Sequence, residues 1–280
     1  MLKIIRWRVN IKYITWIWIA LLLFLLVASA LTCSEDEVED RTIPFSEQES
    51  EWLAAHPVIR VAPDPDFPPI EYFDENGEFK GVAADYVELV SQKLGIDFEI
   101  VHLRNWDEAI EKLKSKQIDM LSAVVKTLPR TEYMLFTFPY VELPAVIIVE
   151  KSVKETLTLE KLSCKKVAVV AGMADYDLIA PNYPELDLDP VPDIQTGLQR
   201  VSFGTVDAFV LPISIAVHHL EKEGITNLRI AGETDYTVRL AFGSRNDWPE
   251  LNLILEKGLS QISEEEKQVI LTKWIRLEQE

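Results

Sequence analysis

Cysteine and histidine are scarce in this sequence, which has two cysteines and four histidines among 280 residues. Cys33 follows an apolar N-terminal run and Cys164 precedes a predicted strand, so we expect no disulfide framework. Two cysteines and four scattered histidines also cannot supply the ligand spacing of a zinc site. We therefore expect neither a metal site nor a bound cofactor.

Positive charge is scarce as well, because 28 lysines and arginines stand against 46 aspartates and glutamates, for a net charge of −18. A nucleic-acid partner is excluded, since phosphate binding needs clustered basic residues. The sequence also has no nucleophile elbow, no metal-ligand set and no pair of carboxylates that spacing alone brings together. These absences favour a solvated acidic surface and a binding protein rather than an enzyme.

Long apolar runs are confined to the N-terminus. The run "YITWIWIALLLFLLVASALT" follows a basic start, whose charges come from Lys3, Arg6, Arg8 and Lys12. About 20 apolar residues are long enough to span a membrane. A basic start before an apolar stretch is also typical of a signal peptide. Both interpretations place the acidic bulk of the chain outside the cytoplasm.

The end of this run leaves three alternatives open for residues 1–33. The triplet "ASA" has the small-x-small form of a signal cleavage site. The stretch "ALTC" resembles a bacterial lipobox with Cys33 as the lipidated residue, although Ala30 and Thr32 depart from that pattern. The length of the run and its tryptophans fit an uncleaved membrane anchor.

Beyond a charged tether at 34–45, predicted strands and helices alternate along the chain. Two helices have the spacing of a capping box, one beginning at Ser46 and the other at Ser263. The alternation runs through the first half and restarts at "KVAVVAG". It indicates an α/β fold with largely parallel sheets. Two similar halves further indicate two lobes with a cleft between them, where small ligands bind.

The C-terminal part of this pattern predicts two separate strands, "NLRIAG" and "TVRLAFG", followed by two helices. The first helix is predicted to be capped near Asp247. Its inward face is predicted from helical spacing and consists of Leu251, Ile254, Leu255 and Leu259.

Seven motifs stand in a fixed order between residues 46 and 278: "SEWLAAHPVIRVAPDPDFPPIEYFDENGEFKGVAADYVELV", "NWDEAIEKLKSKQIDMLSAVVKTLPR", "FTFPY", "LSCKKVAVVAGMA", "VSFGTVDAFV", "SRNDWPELNLIL" and "EEEKQVILTKW". In this order they resemble the family 3 extracytoplasmic solute-binding proteins of the polar amino acid-binding type. More narrowly, they resemble the Venus-flytrap sensor modules of bacterial signalling proteins.

This resemblance implies a type II periplasmic binding protein-like fold, in which two α/β lobes hinge shut on a ligand. It assigns residues 46–148 and 241–280 to lobe 1 and residues 149–240 to lobe 2. The two strands that cross between the lobes are expected near Val146–Glu150 and Thr237–Phe242.

A lone arginine, Arg130, stands in the apolar and aromatic run "VVKTLPRTEYMLFTFPY". A guanidinium stays protonated and is costly to bury without an anionic partner. The residues alone allow a surface pair with Glu132. The resemblance instead implies that Arg130 holds the carboxylate of a ligand, and a planar guanidinium suits that group because the two can form paired, charge-assisted hydrogen bonds.

The resemblance carries further ligand-binding residues onto both lobes. In lobe 1 they are Asp64, Phe67, Trp106, Lys126 and Thr127, and in lobe 2 they are Gly172, Met173, Ala174 and Pro212. Asp64 also fits a simple turn residue, and Trp106 a core anchor of its helix. Lys126 adds positive potential near Arg130, and backbone N–H groups after Gly172 could help to hold an anion.

Three positions depart from the amino-acid binders of this family. Val125 stands where a hydroxyl side chain is usual, the pair Met173 and Ala174 replaces a threonine, and Pro212 replaces the acid that holds the α-ammonium group. An ammonium group closed into the cleft without a partner would cost several kcal/mol. We therefore expect a small anionic ligand, a carboxylate with an apolar or aromatic body, rather than an ordinary α-amino acid.

These expectations describe a periplasmic or otherwise extracytoplasmic solute-binding protein, tethered to the membrane, that captures a carboxylate for ABC-type uptake. The alternative is the ligand-sensing module of a transmembrane signalling receptor, to which the likeness is nearer. Dehydratase-like chemistry on the same fold has no support from the residues. The expected partners are the small ligand, the membrane, and either an ABC permease or a signalling domain.

Overall fold

The computed structural model describes residues 45–275 of the chain. The predicted signal or anchor segment, the candidate lipidation site Cys33 and all but the last residue of the predicted tether lie outside this range. Within residues 45–275, no helix is both long enough and apolar enough to cross a bilayer.

The strands of the described residues are twelve in number. They are β1 (Ile59–Ala62), β2 (Asp66–Phe67), β3 (Glu71–Phe73), β4 (Phe79–Lys80), β5 (Phe98–Ile100), β6 (Met120–Val125), β7 (Met134–Phe136), β8 (Val141–Glu150), β9 (Lys166–Val170), β10 (Asp187–Val191), β11 (Ala208–Pro212) and β12 (Leu228–Arg245). The short strands β2, β3 and β4 form a small antiparallel sheet. The other nine strands share one large sheet.

The helices alternate with these strands, as the sequence predicts. The α-helices are α1 (Glu47–Ala55), α2 (Val82–Leu94), α3 (Trp106–Lys114), α4 (Ala174–Ile179), α5 (Ile194–Ser202), α6 (Ile213–Lys222), α7 (Pro249–Ser260) and α8 (Glu264–Trp274). Two short 3-10 helices cover Pro129–Glu132 and Glu160–Leu162. The predicted capping boxes are confirmed. The Ser46 and Ser263 hydroxyls each accept a hydrogen bond from the N3 backbone N–H, and the N3 glutamate side chains accept one from the backbone N–H of the capping serine.

The large sheet shows how the two lobes are joined. Its order is β10-β9-β11-β8-β12-β6-β1-β5, with β7 also paired to β12. Parallel strands β1, β5 and β6 form the first lobe, and parallel strands β9, β10 and β11 form the second. The two long antiparallel strands β8 and β12 lie between these groups and belong to both.

The register of β8 and β12 locates the crossing between the lobes. On β8, residues Ala145 to Ile148 already pair with β11 of the second lobe. On β12, Leu240 is the first residue that pairs with β6 of the first lobe. The stretch in which β8 and β12 pair only with each other is therefore 142–144 opposite 237–239. The crossing expected near Val146–Glu150 lies earlier on β8, while the crossing on β12 overlaps the expected one.

Several sequence expectations are corrected by the fold. The segments "NLRIAG" and "TVRLAFG" belong to one continuous strand, β12, with register shifts between Ile230 and Gly232 and between Glu233 and Thr237. Asp247 does not cap α7, because its carboxylate pairs with Arg245 and the N-cap position is Trp248. The predicted inward face of α7 is confirmed, since its four leucine and isoleucine residues are all buried.

A close backbone approach fixes the loop that carries the first site residues. Gly81 precedes α2 with φ of 113°, a conformation that L side chains rarely adopt. A Cβ atom at this position would collide with the carbonyl oxygen of Ile70. The glycine lets Pro69 and Ile70 lie directly against the start of α2, where their carbonyl oxygens accept from the backbone N–H groups of Val82 and Ala83.

Candidate functional site

An inner cavity of about 40 Å³ lies between the two lobes. Its lining includes seven of the ten residues that the resemblance assigned to the ligand: Asp64, Phe67, Trp106, Arg130, Met173, Ala174 and Pro212. Gly172 contributes through its backbone, whose carbonyl oxygen accepts from Arg130. Lys126 is exposed and Thr127 is buried, and neither side chain lines this cavity.

Arg130 occupies a buried position at the junction of the lobes. The 3-10 helix after β6 carries it inward, and the residue is only 7% exposed. One terminal nitrogen donates to the carbonyl oxygen of Val125 at 2.9 Å, and the other donates to that of Gly172 at 3.0 Å. The alternative surface pair with Glu132 is thus wrong. The two bonds join the last residue of β6 in the first lobe to the loop after β9 in the second.

The aromatic and glycine neighbours of Arg130 bring the lobes into close contact. The guanidinium carbon lies 5.5 Å from the centre of the Trp106 ring, within range of a cation–π interaction. Gly172 adopts φ of 77°, and a Cβ atom there would lie 3.5 Å from the Asp107 carboxylate and 3.9 Å from Trp106. These are ordinary van der Waals distances, so it is the positive φ, rather than the space available, that favours glycine at this position.

Two carboxyl groups that the sequence analysis missed line the same cavity. Glu71 on β3 is fully buried, accepts a hydrogen bond from the Ser122 hydroxyl at 2.5 Å, and accepts another from the Asp64 backbone N–H at 2.9 Å. Asp175 in the first turn of α4 is 5% exposed and accepts from the Tyr236 hydroxyl at 2.8 Å.

Burial raises the pKa of every carboxyl group that lines the inner cavity. It raises the pKa of Asp64 to about 6 and that of Asp175 to about 6. It raises the pKa of Glu71 well above its ordinary value, against the opposing effect of the Ser122 hydrogen bond. Burial also lowers the pKa of Arg130, although the guanidinium remains charged at neutral pH.

The charge pattern of the cavity corrects one step of the sequence argument. Pro212 does line the cavity and supplies no acid, as expected. An acid is nevertheless present, because Asp175 in the first turn of α4 lines the same cavity from the second lobe and Asp64 lines it from the first. Asp64 also accepts from the Asp66 backbone N–H at 3.1 Å, so the turn interpretation and the cavity interpretation both hold. An ammonium group would find carboxylates here.

The inner cavity is much smaller than an ordinary small-molecule site. A volume of about 40 Å³ holds about three water molecules. A small-molecule site usually offers roughly 300–1,000 Å³. A second space of about 410 Å³ is also lined by Trp106, Arg130 and Gly172, so a small ligand can reach Arg130 from there. Among residues 45–275, no group of three or more His, Cys, Asp or Glu side chains is arranged to hold a metal ion.

Known proteins with a similar sequence include sensors and a binding protein. The chain is 29% identical over 231 residues to the virulence sensor protein BvgS of Bordetella pertussis. This match covers 82% of this chain and 19% of BvgS. It is 27% identical over 182 residues to the probable amino-acid-binding protein YxeM of Bacillus subtilis, covering 62% of this chain and 67% of YxeM. The chain thus spans about a fifth of the length of the sensor proteins it matches.

The fold is shared with a solved sensor domain. The crystal structure of the periplasmic VFT2 domain of Bordetella pertussis BvgS matches with a TM-score of 0.76 and 29% identity. The match covers 82% of this chain and 99% of that domain. It confirms the two-lobed binding-protein fold that the motifs implied. The family model of bacterial extracellular solute-binding proteins, family 3, matches residues 59–277, and the chain belongs to that family.

Proposed function

We propose that this chain is the ligand-sensing module of a signalling receptor, located on the extracytoplasmic side of the membrane. Its two lobes close on a small carboxylate-bearing solute, and the open or closed state is the signal that is passed on. The likeness to a periplasmic sensor domain over 99% of that domain supports sensing better than uptake. The BvgS likeness in sequence supports the same choice.

The observation that carries the proposal is the bridge that Arg130 makes between the lobes. Its guanidinium donates to Val125 on one side and to Gly172 on the other. Both acceptors are neutral carbonyl oxygens. A ligand carboxylate competes well for such donors, because charge-assisted hydrogen bonds are about twice as strong as neutral ones. We expect the carboxylate to take the place of the Gly172 carbonyl when the cleft closes on it.

This exchange couples binding to closure. The ligand meets groups from the two lobes only when they are close together, so it binds the closed form more tightly than the open form. A ligand shifts a conformational equilibrium by the difference between its affinities for the two states. The ligand-free bridge from Arg130 to Gly172 sets the starting population, and the ligand changes it. A sensor needs such an adjustable balance between two states.

The buried acids widen the class of ligand that the site accepts. Asp64 and Asp175 lie in the same cavity as Arg130, so an ammonium group on the ligand has a counter-charge within reach. A carboxylate with an apolar body remains suitable for Phe67 and Met173. Zwitterionic solutes, including α-amino acids, therefore join simple carboxylates as candidates.

The test is calorimetric titration of the full chain, purified in detergent, with benzoate, succinate and glutamine. For the solute that binds, Arg130→Ala should weaken binding by at least about 30-fold, because it removes a buried charged hydrogen-bonding partner. Arg130→Lys keeps the charge but loses the paired hydrogen-bond geometry, so its affinity should lie between those of the parent and of Arg130→Ala. Arg239→Ala removes an exposed arginine of β12 and serves as the control. Equal affinity in Arg130→Ala and in the parent would refute the assigned site.

Delivery of the solute to an uptake transporter is the second candidate function. The likeness to YxeM across 62% of this chain favours it. The two functions separate in cells that carry the Arg130→Ala chain. Uptake function predicts that accumulation of the labelled solute falls, whereas sensing predicts unchanged accumulation and a lost transcriptional response.

A further inference from the structure

A bulge interrupts strand β12 immediately before the crossing between the lobes. This hinge bulge runs from Glu233 to Thr237, where the register with β8 shifts so that residues 234–236 stand opposite Ala145 alone. Such a bulge disrupts the ladder locally and re-aims the side chains that it carries. The stretch 237–239, in which β12 pairs only with β8, begins at the last residue of the bulge.

The hinge bulge has a defined shape, because a side chain replaces part of the lost ladder. The Thr234 hydroxyl lies 3.1 Å from the carbonyl oxygen of Ala145 on β8 and 3.0 Å from that of Tyr236 within the bulge. It can donate to either oxygen. The two side chains that follow Thr234 are thereby held in fixed directions.

These two side chains fasten helix α4 near both of its ends. The Tyr236 hydroxyl donates to the carboxylate of Asp175, in the first turn of α4, at 2.8 Å. Just beyond the helix, the Tyr183 hydroxyl donates to the carboxylate of Asp235 at 2.7 Å. Among the side chains of residues 45–275, Tyr236 is the one that hydrogen-bonds the buried Asp175 carboxylate. Hydrogen bonds to ionised carboxylates are stronger than neutral ones.

The segment that α4 holds in place is the part of the second lobe that contacts Arg130. This contact segment is 172–175. The Gly172 carbonyl oxygen accepts from Arg130 at 3.0 Å, and the other three residues line the inner cavity. Helix α4 has only six residues, and its N-cap residue, Met173, makes no side-chain capping bond. The position of the contact segment therefore depends on bonds from outside the helix, and the hinge bulge supplies them.

We propose that Tyr236 is a positioning residue of the ligand site. Through Asp175 it holds the contact segment where the Gly172 carbonyl oxygen meets Arg130, and so it sets how readily the cleft closes. A site keeps its geometry when neighbouring hydrogen bonds lock its residues, and a segment that is already ordered loses less freedom when the lobes meet. Tyr236 also directly precedes the crossing stretch, so the same bond ties the contact segment to the strand that bends when the lobes move.

This inference rests on the proposed function, since it concerns the regulation of the same cleft, but it is tested without a ligand. Pulsed electron paramagnetic resonance measures the distance between the lobes in the full chain in detergent at pH 7.5. Spin labels are attached through Asp97→Cys and Asp187→Cys, exposed positions beside the two outermost strands of the large sheet, after Cys33 and Cys164 are replaced by serine. Tyr236→Phe should raise the ratio of open to closed molecules at least about threefold, because it removes a hydrogen bond to a charged group.

Two further variants separate positioning from a general loss of stability. Tyr86→Phe is the matched control, because it removes a buried tyrosine hydrogen bond to the Tyr140 carbonyl oxygen within the first lobe. It should lower the melting temperature and leave the ratio of open to closed molecules unchanged. In an Asp175→Ala background, Tyr236→Phe should have no further effect on the ratio, because the two side chains act as one unit.

Four results would each overturn the proposal. They are a parent without a closed population, an unchanged ratio in Tyr236→Phe, an equal shift in Tyr86→Phe, and a full effect of Tyr236→Phe in the Asp175→Ala background. Since no ligand is present, these results are independent of the titrations that test the proposed function, and the two can fail separately.

Discussion

Two buried arginines in this protein have opposite surroundings. Arg245 at the end of β12 is 9% exposed, and Arg130 at the cleft is 7% exposed. Arg245 forms ion pairs with Asp247 at 2.8 Å and with Asp119 at 3.2 Å, and it lies 4.1 Å from the centre of the Trp248 ring. Arg130 has backbone carbonyls as its hydrogen-bond acceptors and forms no ion pair with any described residue.

The difference separates a structural arginine from one that is available to a ligand. The charge of Arg245 is neutralised within the first lobe, so a solute would gain little by approaching it. Asp175 and Asp177 attract Arg130 electrostatically from a distance, but neither carboxylate forms an ion pair with it in the described structure. A buried cation without a bonded anion is costly to keep and attracts one from solution. The predictions below test this contrast.

The largest effect is expected at Asp119, which anchors the structural cluster. Its fully buried carboxylate accepts from Arg60 at 2.9 Å through two nitrogens and also pairs with Arg245. Asp119→Asn removes the negative charge that pairs with Arg60 and Arg245. It should lower the free energy of unfolding by about 3–5 kcal/mol. Urea unfolding measures the loss, with Asp97→Asn as the exposed control. A loss no greater than that of the control would show that the cluster is not structural.

The acids near the two arginines should respond to pH in opposite directions. Asp64 and Asp175 have pKa values raised to about 6 by burial, above the ordinary value of 3.8. The folded closed form therefore binds more protons than the unfolded chain, and each group adds stability as the pH falls from about 6 toward 4, by about 1–3 kcal/mol. Asp247 has a pKa lowered chiefly by its hydrogen bond from Arg245, so its contribution is lost only at still lower pH.

This pH dependence is measured as the melting temperature between pH 4 and pH 7. The double variant Asp64→Asn with Asp175→Asn should flatten the rise in stability on acidification. The same substitution at Asp247 should not change the slope in that range. A parent protein that becomes steadily less stable from pH 6 to pH 4 would contradict the assigned burial of the cleft acids.

The elements of the fold could largely be read from the sequence, because their signals are local. Helix α7 buries the face that its apolar spacing marks, and the Ser46 and Ser263 caps lie where three-residue spacing predicts them. The continuity of β12 could not be read, because "GETDY" looks like a turn. The pairing with β8 continues on both sides of that segment and holds it in one strand.

The candidate site was only half predictable, for a related reason. Arg130 stands out as a lone charge in an apolar run, and the family resemblance gave it a role. Glu71 gives a comparable signal, since it is a single acid inside the apolar and aromatic stretch "PPIEYF". Asp175 gives none, because an acid in the first turn of a helix is ordinary. Its place beside Arg130 depends on how the two lobes meet, which no local pattern encodes.

The smallest effect on stability, and the sharpest test of the contrast, is expected for Arg130→Met. Methionine fills most of the same space without a charge, and replacing a poorly compensated buried charge by an apolar side chain is often neutral or stabilising. The free energy of unfolding should change by less than about 1 kcal/mol, while carboxylate binding is lost. Arg245→Met is the matched control, because it removes one of the two arginines that pair with the buried Asp119 and should cost about 1–3 kcal/mol. Urea unfolding of the two variants measures both changes. Similar losses in the free energy of unfolding would mean that Arg130 stabilises the fold as Arg245 does and is not held free for a ligand.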